Sequence, residues 1–481
     1  MVTKATVSRS LWWVGLETIG SFILSVAALL GYARLLAPAE FGLGTLAVTV
    51  VHLGSVLTGT LFYGAVVQRD VLEEQHRDSA VWISFGLGLF IAGALWLLAA
   101  PLASWSEKPE LASLLHWMSP AVIISGIEVV FLAELHRRLE FRRSAWRTLV
   151  GRGAGTTVGL ALALNGGGAW ALALQFLVTA FVGAGLVLTS VTRLPRLAVS
   201  PRHVASLLSF GWAHAVAAMI SNSSFQIFTA LSGLFLSAEG LGFFGLAARL
   251  VETFRALLGS AAGTVAFSLF SRQQNEPELL QNSYRQAAAF ACLPTAPLFL
   301  MIAVGAEDIV HVLFGPAWAP VAFPVRASAL MAVAYFGFFL AHHLISARGY
   351  PARLIALQVS VVACLAALVL VVQPTTVPTV SLIWVSQVFV VFPATVWLLR
   401  STSGISAGQQ VRGIVAPVVI ACFAGMVMWL ALHQLAEWNA LARLMLAGGL
   451  GILIYLAIMA ATNFSLIKQF FAFLLAGLQR T

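Results

Sequence analysis

The sequence predicts an all-helical, polytopic membrane protein, and three observations carry that prediction. Hydrophobic residues make up 60% of the 481 positions and charged residues only 9%, whereas a typical soluble domain is about a quarter charged. Apolar stretches long enough to cross a bilayer, about 20 residues each, recur from Leu11 to Phe464. Stretches such as Trp82 to Ala100 are apolar all round, whereas a barrel strand alternates apolar and polar residues over about ten positions.

Dividing the chain at its polar breaks gives about fourteen spans. The first, 11–31, follows a short segment holding Lys4 and Arg9 with no small-residue cleavage site, so an uncleaved first span is expected. It carries Glu17. The second and third are 42–67 and 79–100, and the fourth, 113–135, contains Glu128 and Glu134. In the fifth, 148–165, Gly151, Gly153, Gly155 and Gly159 are expected to form a small-residue face on which another helix can approach closely. The sixth is 169–191, and the connection from Arg193 to Phe210 leads into the seventh, 211–234. The eighth, 243–270, holds Arg249, Glu252 and Arg255. The ninth, 287–305, is followed by a polar connection from Gly305 to Pro320, and the tenth, 323–346, carries Arg326. Spans 354–373, 378–399, 414–433 and 444–463 complete the set. Phe464 to Leu478, apolar with Lys468, reads as an interfacial helix.

The net charge of +9 is a topology signal rather than a nucleic-acid signal. Most of the 27 Lys and Arg fall on one side of this topology. Only Arg34, Lys108 and Arg443 lie in loops on the other side, and Arg152, Arg249, Arg255 and Arg326 fall within spans. The positive-inside rule puts the crowded side in the cytoplasm, and an even span count puts both termini there. The cluster Arg137, Arg138, Arg142, Arg143 and Arg147, with Phe141 and Trp146, is expected to rest on anionic headgroups. Cys292, Cys364 and Cys422 have no metal-type spacing and are expected to be small buried hydrophobes, so no metal or cofactor is expected.

An internal echo suggests two lobes. Leu35 to Gly44 (LLAPAEFGLG) precedes the second span and Leu234 to Gly242 (LFLSAEGLG) the eighth. Six spans separate the copies, which gives them one orientation, as in parallel repeats. The expected organisation is a six-helix lobe over 1–200, a second over 201–400, and two further helices with an interfacial tail over 401–481. Two such lobes facing a central cavity make an alternating-access transporter.

Ionisable groups at membrane depth cost about 2.5–3.5 kcal/mol on insertion scales and usually face a wet cavity or a partner. Arg249, Glu252 and Arg255 sit at i, i+3 and i+6, within about a 120° arc of one helix. The acid can neutralise one arginine and leave the other for an anion such as phosphate; alternatively Glu252 and Arg255 form a structural lock. Arg326 and Arg34 are further substrate-binding candidates, Arg34 alternatively a headgroup anchor. Glu17 and Glu128 are the candidates for ion coupling, while Glu134 is expected to be held by the basic residues just after it. His52, His214, His342 and His343 receive no role, because a lone membrane histidine is more often hydrogen-bonded to a neighbouring helix.

Four passages carry a family resemblance: Ala33 to Gly42; Ala238 to Leu250; Phe270-Ser271-Arg272-Gln273-Gln274; and Val312 to Pro320. In these the chain resembles the Wzx-type polysaccharide flippases of the multidrug/oligosaccharidyl-lipid/polysaccharide (MOP) exporter superfamily. The resemblance implies fourteen helices in two lobes around a cationic cavity. It also implies translocation of an undecaprenyl-diphosphate-linked oligosaccharide between the leaflets of a bacterial inner membrane, with a part for Arg249. Other partners it implies are membrane lipids and polysaccharide polymerisation or export machinery. One departure concerns coupling: Phe225 to Leu231, where family members often carry an acid in the seventh span, has Gln226 and no carboxylate.

Two alternatives frame this reading. A cation-coupled multidrug exporter of the same superfamily should offer net acid inside the membrane, whereas the eighth span is net basic. A membrane glycosyltransferase or polymerase should bring carboxylates together, yet the aspartates are only Asp70, Asp78 and Asp308, without a DxD pattern. Glu307, Asp308 and His311 read as the polar start of an outer loop.

Overall fold

The computed structural model describes residues 4–69, 72–191, 193, 195–273 and 276–479. Asp70, Gln274 and the side chains of Lys4, Arg9 and His214 lie outside the described residues. The chain folds into two compact units, Met1–Gly245 with Ala366–Thr375, and Leu246–Leu365 with Thr376–Thr481.

The first unit contains α1 (Lys4–Leu35), α2 (Pro38–Gln68), α3 (Glu74–Trp105), α4 (Glu110–Met118), α5 (Pro120–Arg137), α6 (Phe141–Leu164), α7 (Trp170–Leu188), α8 (Pro201–Ser232) and the first two turns of α9 (Ala238–Arg272). Proline opens α2, α5 and α8, where its fixed φ suits the first turn and its missing N–H is not needed. Pro120 also divides the expected fourth span into α4 and α5, because its ring cannot continue the hydrogen-bond ladder. At the start of α2 the Glu40 carboxylate accepts a hydrogen bond from the Ala37 N–H at 2.9 Å, satisfying one of the donors a helix start leaves open.

In the second unit α9 continues. It is followed by α10 (Pro277–Val304), α11 (Ala306–Phe314), a 3₁₀ turn (Pro316–Val321), α12 (Ala322–Ala347), most of α13 (Pro351–Val372), α14 (Val377–Ser386), α15 (Val388–Ser403), α16 (Ala407–Arg412), α17 (Val415–Gln434) and α18 (Ala440–Gln479). Leu293, Met301, Ala424, Met428 and Tyr455 form one core of this unit, and the Tyr455 hydroxyl donates to the Leu293 carbonyl at 2.7 Å.

Eleven helical segments among the described residues are long and apolar enough to cross a membrane, and they coincide with eleven of the fourteen expected spans. The other three fall on α6, α8 and α9, helices of 24, 32 and 35 residues. Their apolar runs are interrupted by Arg147 and Arg152, by Ser223, Ser224 and Gln226, and by Arg249, Glu252 and Arg255. At about 1.5 Å rise per residue even α6 exceeds a hydrocarbon core of about 30 Å. Trp12, Phe90, Trp96, Phe389 and Trp429 stand exposed on the helix surfaces, the arrangement expected where lipid rather than water is the solvent.

Between helices in lipid, association rests on close packing more than on the hydrophobic effect. The expected glycine face of α6 is real and narrower than expected. A methyl group on Gly155 would lie 2.5 Å from the Gln175 carbonyl oxygen of α7, and Gly151 and Gly159 also abut α7, whereas Gly153 faces open space. The tightest approach joins the two echo segments. A methyl group on Gly42 would sit 1.8 Å from the Ala238 carbonyl oxygen, and one on Gly242 would sit 2.0 Å from that of Pro38. The starts of α2 and α9 therefore meet backbone to backbone in a reciprocal contact.

Two local expectations are revised, and the C-terminal segment gains a boundary. The polar connection from Gly305 to Pro320 is ordered as α11 and the 3₁₀ turn, with Gly315 at φ 90° forming the corner and Trp318 buried beside it. Cys292 is buried as expected, but Cys364 and Cys422 are exposed on outward helix faces; apolar surroundings in the sequence did not distinguish protein from lipid. The segment after Phe464 continues α18 beyond a kink at Asn463, where φ is −136° and ψ 38°, and Gln286 Nε2 on α10 donates to Gln469 Oε1 at 3.0 Å.

Candidate substrate-binding site

On α9 the Glu252 carboxylate accepts two parallel hydrogen bonds from Arg255, from Nε and from Nη2, both 2.6 Å. This fork-on-carboxylate geometry is the strong form of the Arg–acid pair. The Arg255 guanidinium lies over the Tyr335 ring of α12, 4.6 Å from its centroid, which fixes its plane through a cation–π contact. The Glu252 side chain is 54% exposed and that of Arg255 33%, so the pair is open on one side rather than sealed in a core. Arg249, one turn earlier, is half-buried, and its carbonyl accepts from Thr253 Oγ1 at 2.6 Å. The Glu252–Arg255 pair is the contact common to both alternatives the sequence leaves open, the half-neutralised anion site and the structural lock. The three charges together remain net positive.

Both coupling candidates face α6. Glu17 on α1 accepts from Thr148 Oγ1 at 2.7 Å. It is also close enough for its charge to act on Arg152, whose Nη2 donates to Ser25 Oγ at 3.0 Å. Glu128 on α5 is buried and accepts from Arg147 Nε. Arg147 and Arg152 are the participants the sequence did not supply. Arg147 stands apart from the headgroup-facing arginines because it reaches the buried Glu128 of α5, a partner on another helix that its own polar surroundings in the sequence do not reveal. The rest of that cluster is also partly engaged: Arg138 pairs with Glu134 at 2.6 Å, as expected, and Arg143 with Glu140 at 2.7 Å, while Arg142 lies 5.7 Å over Trp13.

Arg34 is exposed in the last turn of α1, where a cation complements the negative end of the helix dipole. Arg326 belongs to a different setting. Its Nη2 donates to Glu307 Oε1 at 2.9 Å and its Nε to the Ala303 carbonyl at 3.2 Å, at the wall of a cavity of about 700 Å³. Arg249, Glu252 and Arg255 are not among the residues lining that cavity. Lys108 is buried, and its ammonium donates to the carbonyls of Ser106 at 2.8 Å and Gly233 at 3.0 Å; burial lowers its pKa below the ordinary lysine value.

His342 bonds Thr395 of α15 at 3.2 Å, the interhelical role expected for a membrane histidine. Among the described residues one cluster brings metal-ligand chemistry together: Glu73, His76 and His203 place ligand atoms within 4.8 Å of one another. His203 is already bonded to Ser200 Oγ and to Glu73, and the charge of Arg69 acts on His76, which works against a cation there.

The helical arrangement is that of a multi-pass membrane protein. It is similar to the solved structure of the lipid II flippase MurJ in an inward closed conformation, with a TM-score of 0.79 over 94% of this chain and 98% of that one at 13% identity. An inward-facing multidrug-resistance MATE family transporter of the MOP superfamily aligns with a TM-score of 0.60 over 80% of this chain and 94% of that one, also at 13% identity. The model of the family described as polysaccharide biosynthesis protein matches residues 32–323, and the chain belongs to that family. Among curated relatives, the succinoglycan biosynthesis transport protein ExoT of Rhizobium meliloti (strain 1021) is 27% identical over 66% of this chain and 64% of its own length. The lipopolysaccharide biosynthesis protein WzxC of Escherichia coli (strain K12) is 23% identical over 64% of this chain and 63% of its own. The chain thus spans just under two thirds of the length of each.

Proposed function

We propose that this chain is a flippase for a lipid-linked oligosaccharide. It moves an undecaprenyl-diphosphate-linked repeat unit from the cytoplasmic to the periplasmic leaflet of a bacterial inner membrane, with both termini cytoplasmic. The work is transport without covalent chemistry. A sugar head and a diphosphate must cross hydrocarbon, and fixed guanidinium groups can replace lost hydration with charge-assisted hydrogen bonds while the lipid tail stays in the bilayer. The observation that carries this reading is the net-positive arrangement of Arg249, Glu252 and Arg255 on α9, with Arg255 held in plane by Glu252 and Tyr335. The relatives named for polysaccharide transport and lipopolysaccharide biosynthesis support it.

In this proposal residues 1–200 and 201–400 are the two lobes whose alternating access carries the head across, and 401–481 is an appended pair of helices. Arg249 and Arg255 hold the diphosphate and Glu252 orients Arg255. Ion coupling through Glu17 or Glu128 acts on partners already made, Thr148 and Arg147. Replacing both Arg249 and Arg255 with Ala abolishes polysaccharide export while the protein remains at wild-type level in the membrane; export that survives refutes the site. The fold likeness to a multidrug transporter favours a second reading, drug export. Drug resistance on overexpression, unaffected by loss of the arginines, would establish it in place of the first.

A further inference from the structure

The cavity of about 700 Å³ in the second unit has no part in the site on α9. It is built where the end of α10, α11, the 3₁₀ turn and the start of α12 meet the α17–α18 connection. Its volume falls in the range of about 300–1,000 Å³ typical of small-ligand sites.

Its charges are balanced in pairs. Arg326 holds Glu307 at 2.9 Å, and Arg443 holds Asp308, which is 95% removed from solvent. A diphosphate entering here meets guanidinium groups already compensated, and a metal ion meets compensated carboxylates. A neutral polyol meets something else: carboxylate acceptors, buried on Asp308 and open on Glu307, beside guanidinium donors, which suit the paired hydroxyls of a sugar ring. Two large aromatic faces complete the lining, Trp438 at 54% and Phe323 at 37% exposure. Rigid aromatic surface beside planar polar groups accommodates the two characters of a sugar ring, its C–H face and its hydroxyl edge.

We propose that this cavity is a glycan-binding site that takes uncharged sugar residues of the exported material, separate from the groups that hold the diphosphate. The proposal rests on the flippase reading. In that topology the cavity opens on the periplasmic side, where the sugar head emerges and where the finished polymer also resides.

The test begins with a deletion of the gene, which identifies the polysaccharide whose export needs the chain. Repeat-unit oligosaccharides hydrolysed from that polymer, free of lipid and phosphate, are then titrated calorimetrically against the purified full-length protein in detergent. Wild type binds saturably. Trp438→Ala, at an exposed position that folding tolerates, weakens binding by about tenfold or more, and Glu307→Gln weakens it as well. The Arg249→Ala/Arg255→Ala protein binds normally, and inorganic pyrophosphate does not displace the sugar. Single repeat units binding as tightly as fragments of several repeats assigns the site to the incoming unit, and tighter binding of the longer fragments assigns it to the polymer. No binding by wild type, undiminished binding by both cavity variants, or displacement by pyrophosphate overturns the proposal. A deletion that leaves every surface polysaccharide exported overturns the flippase reading itself, and the glycan site with it.

Discussion

The meeting of α2 and α9 at Gly42 and Gly242 makes a quantitative prediction. In Gly42→Ala the new methyl would lie 1.8 Å from the Ala238 carbonyl oxygen and 2.5 Å from the Gly242 nitrogen. Ordinary van der Waals contact begins at 3.4 Å, so the helices must part by about 1.5 Å, and both obstructing groups are backbone that no rotamer change can move. Overpacking of this kind typically costs about 1–3 kcal/mol, and the rigid backbone places this case near the upper end. Alanine offsets about 0.5–1 kcal/mol of that through its higher helix propensity. The net loss is about 2 kcal/mol, roughly a 30-fold shift in the folded-to-unfolded ratio. Gly242→Ala, blocked at 2.0 Å by the Pro38 carbonyl oxygen, behaves in the same way. The decisive measurement is the double variant. One separation accommodates both methyl groups, so its cost falls well below the sum of the singles. Thermal unfolding of a fluorescent fusion, followed by size-exclusion chromatography in detergent, reads all three, with Gly153→Ala as a control because nothing lies within 4 Å of a methyl there. A Gly42→Ala protein as stable as wild type, or strict additivity in the double variant, would show that these helix starts do not meet as described.

Two further perturbations address buried charge. Arg147→Ala leaves the Glu128 carboxylate buried and unpaired and destabilises the first unit by about 3 kcal/mol, near the low end for a broken buried pair because Arg147 is partly exposed. Replacing both residues with apolar ones of similar size, Glu128→Leu with Arg147→Met, restores most of that stability in the same unfolding assay, and export by the restored protein shows whether the carboxylate has a coupling role. Lys108→Met orphans the Ser106 and Gly233 carbonyls and costs about 1–3 kcal/mol. Its pH dependence follows from the lowered pKa: the unfolded chain holds this proton to higher pH than the folded one, so wild-type stability rises with pH between the folded and unfolded pKa values of Lys108. That component of the rise disappears in the variant.

Eleven of the fourteen expected spans were legible because length and apolarity are local quantities, and a helix that is long and apolar enough to cross hydrocarbon displays both within its own residues. The pairing of Glu252 with Arg255 was legible for the same reason, since i and i+3 share a helix face. Partnerships between helices were not. Glu128 finds Arg147 on the next helix, Arg443 of α18 finds Asp308 on α11, and Lys108 finds the end of α8. Each depends on rotation and depth, which apolar periodicity does not fix in a bundle where lipid-facing and protein-facing sides are equally greasy. Cys364 and Cys422 were misjudged through that same symmetry of solvent and core.

The echo between the two halves shows the limit most sharply. Matching identical letters aligns Ala39-Glu40 with Ala238-Glu239, but the packed helices oppose Gly42 and Gly242, one residue out of that register. Identity rewards residues that look alike, whereas the contact selects positions that can do without a side chain. Where two backbones must touch, the missing side chain is the physical constraint. The contact between the two segments is therefore better read from the glycines than from the acidic residues beside them, because Glu40 serves its own helix start by accepting from Ala37 while the glycines serve the contact.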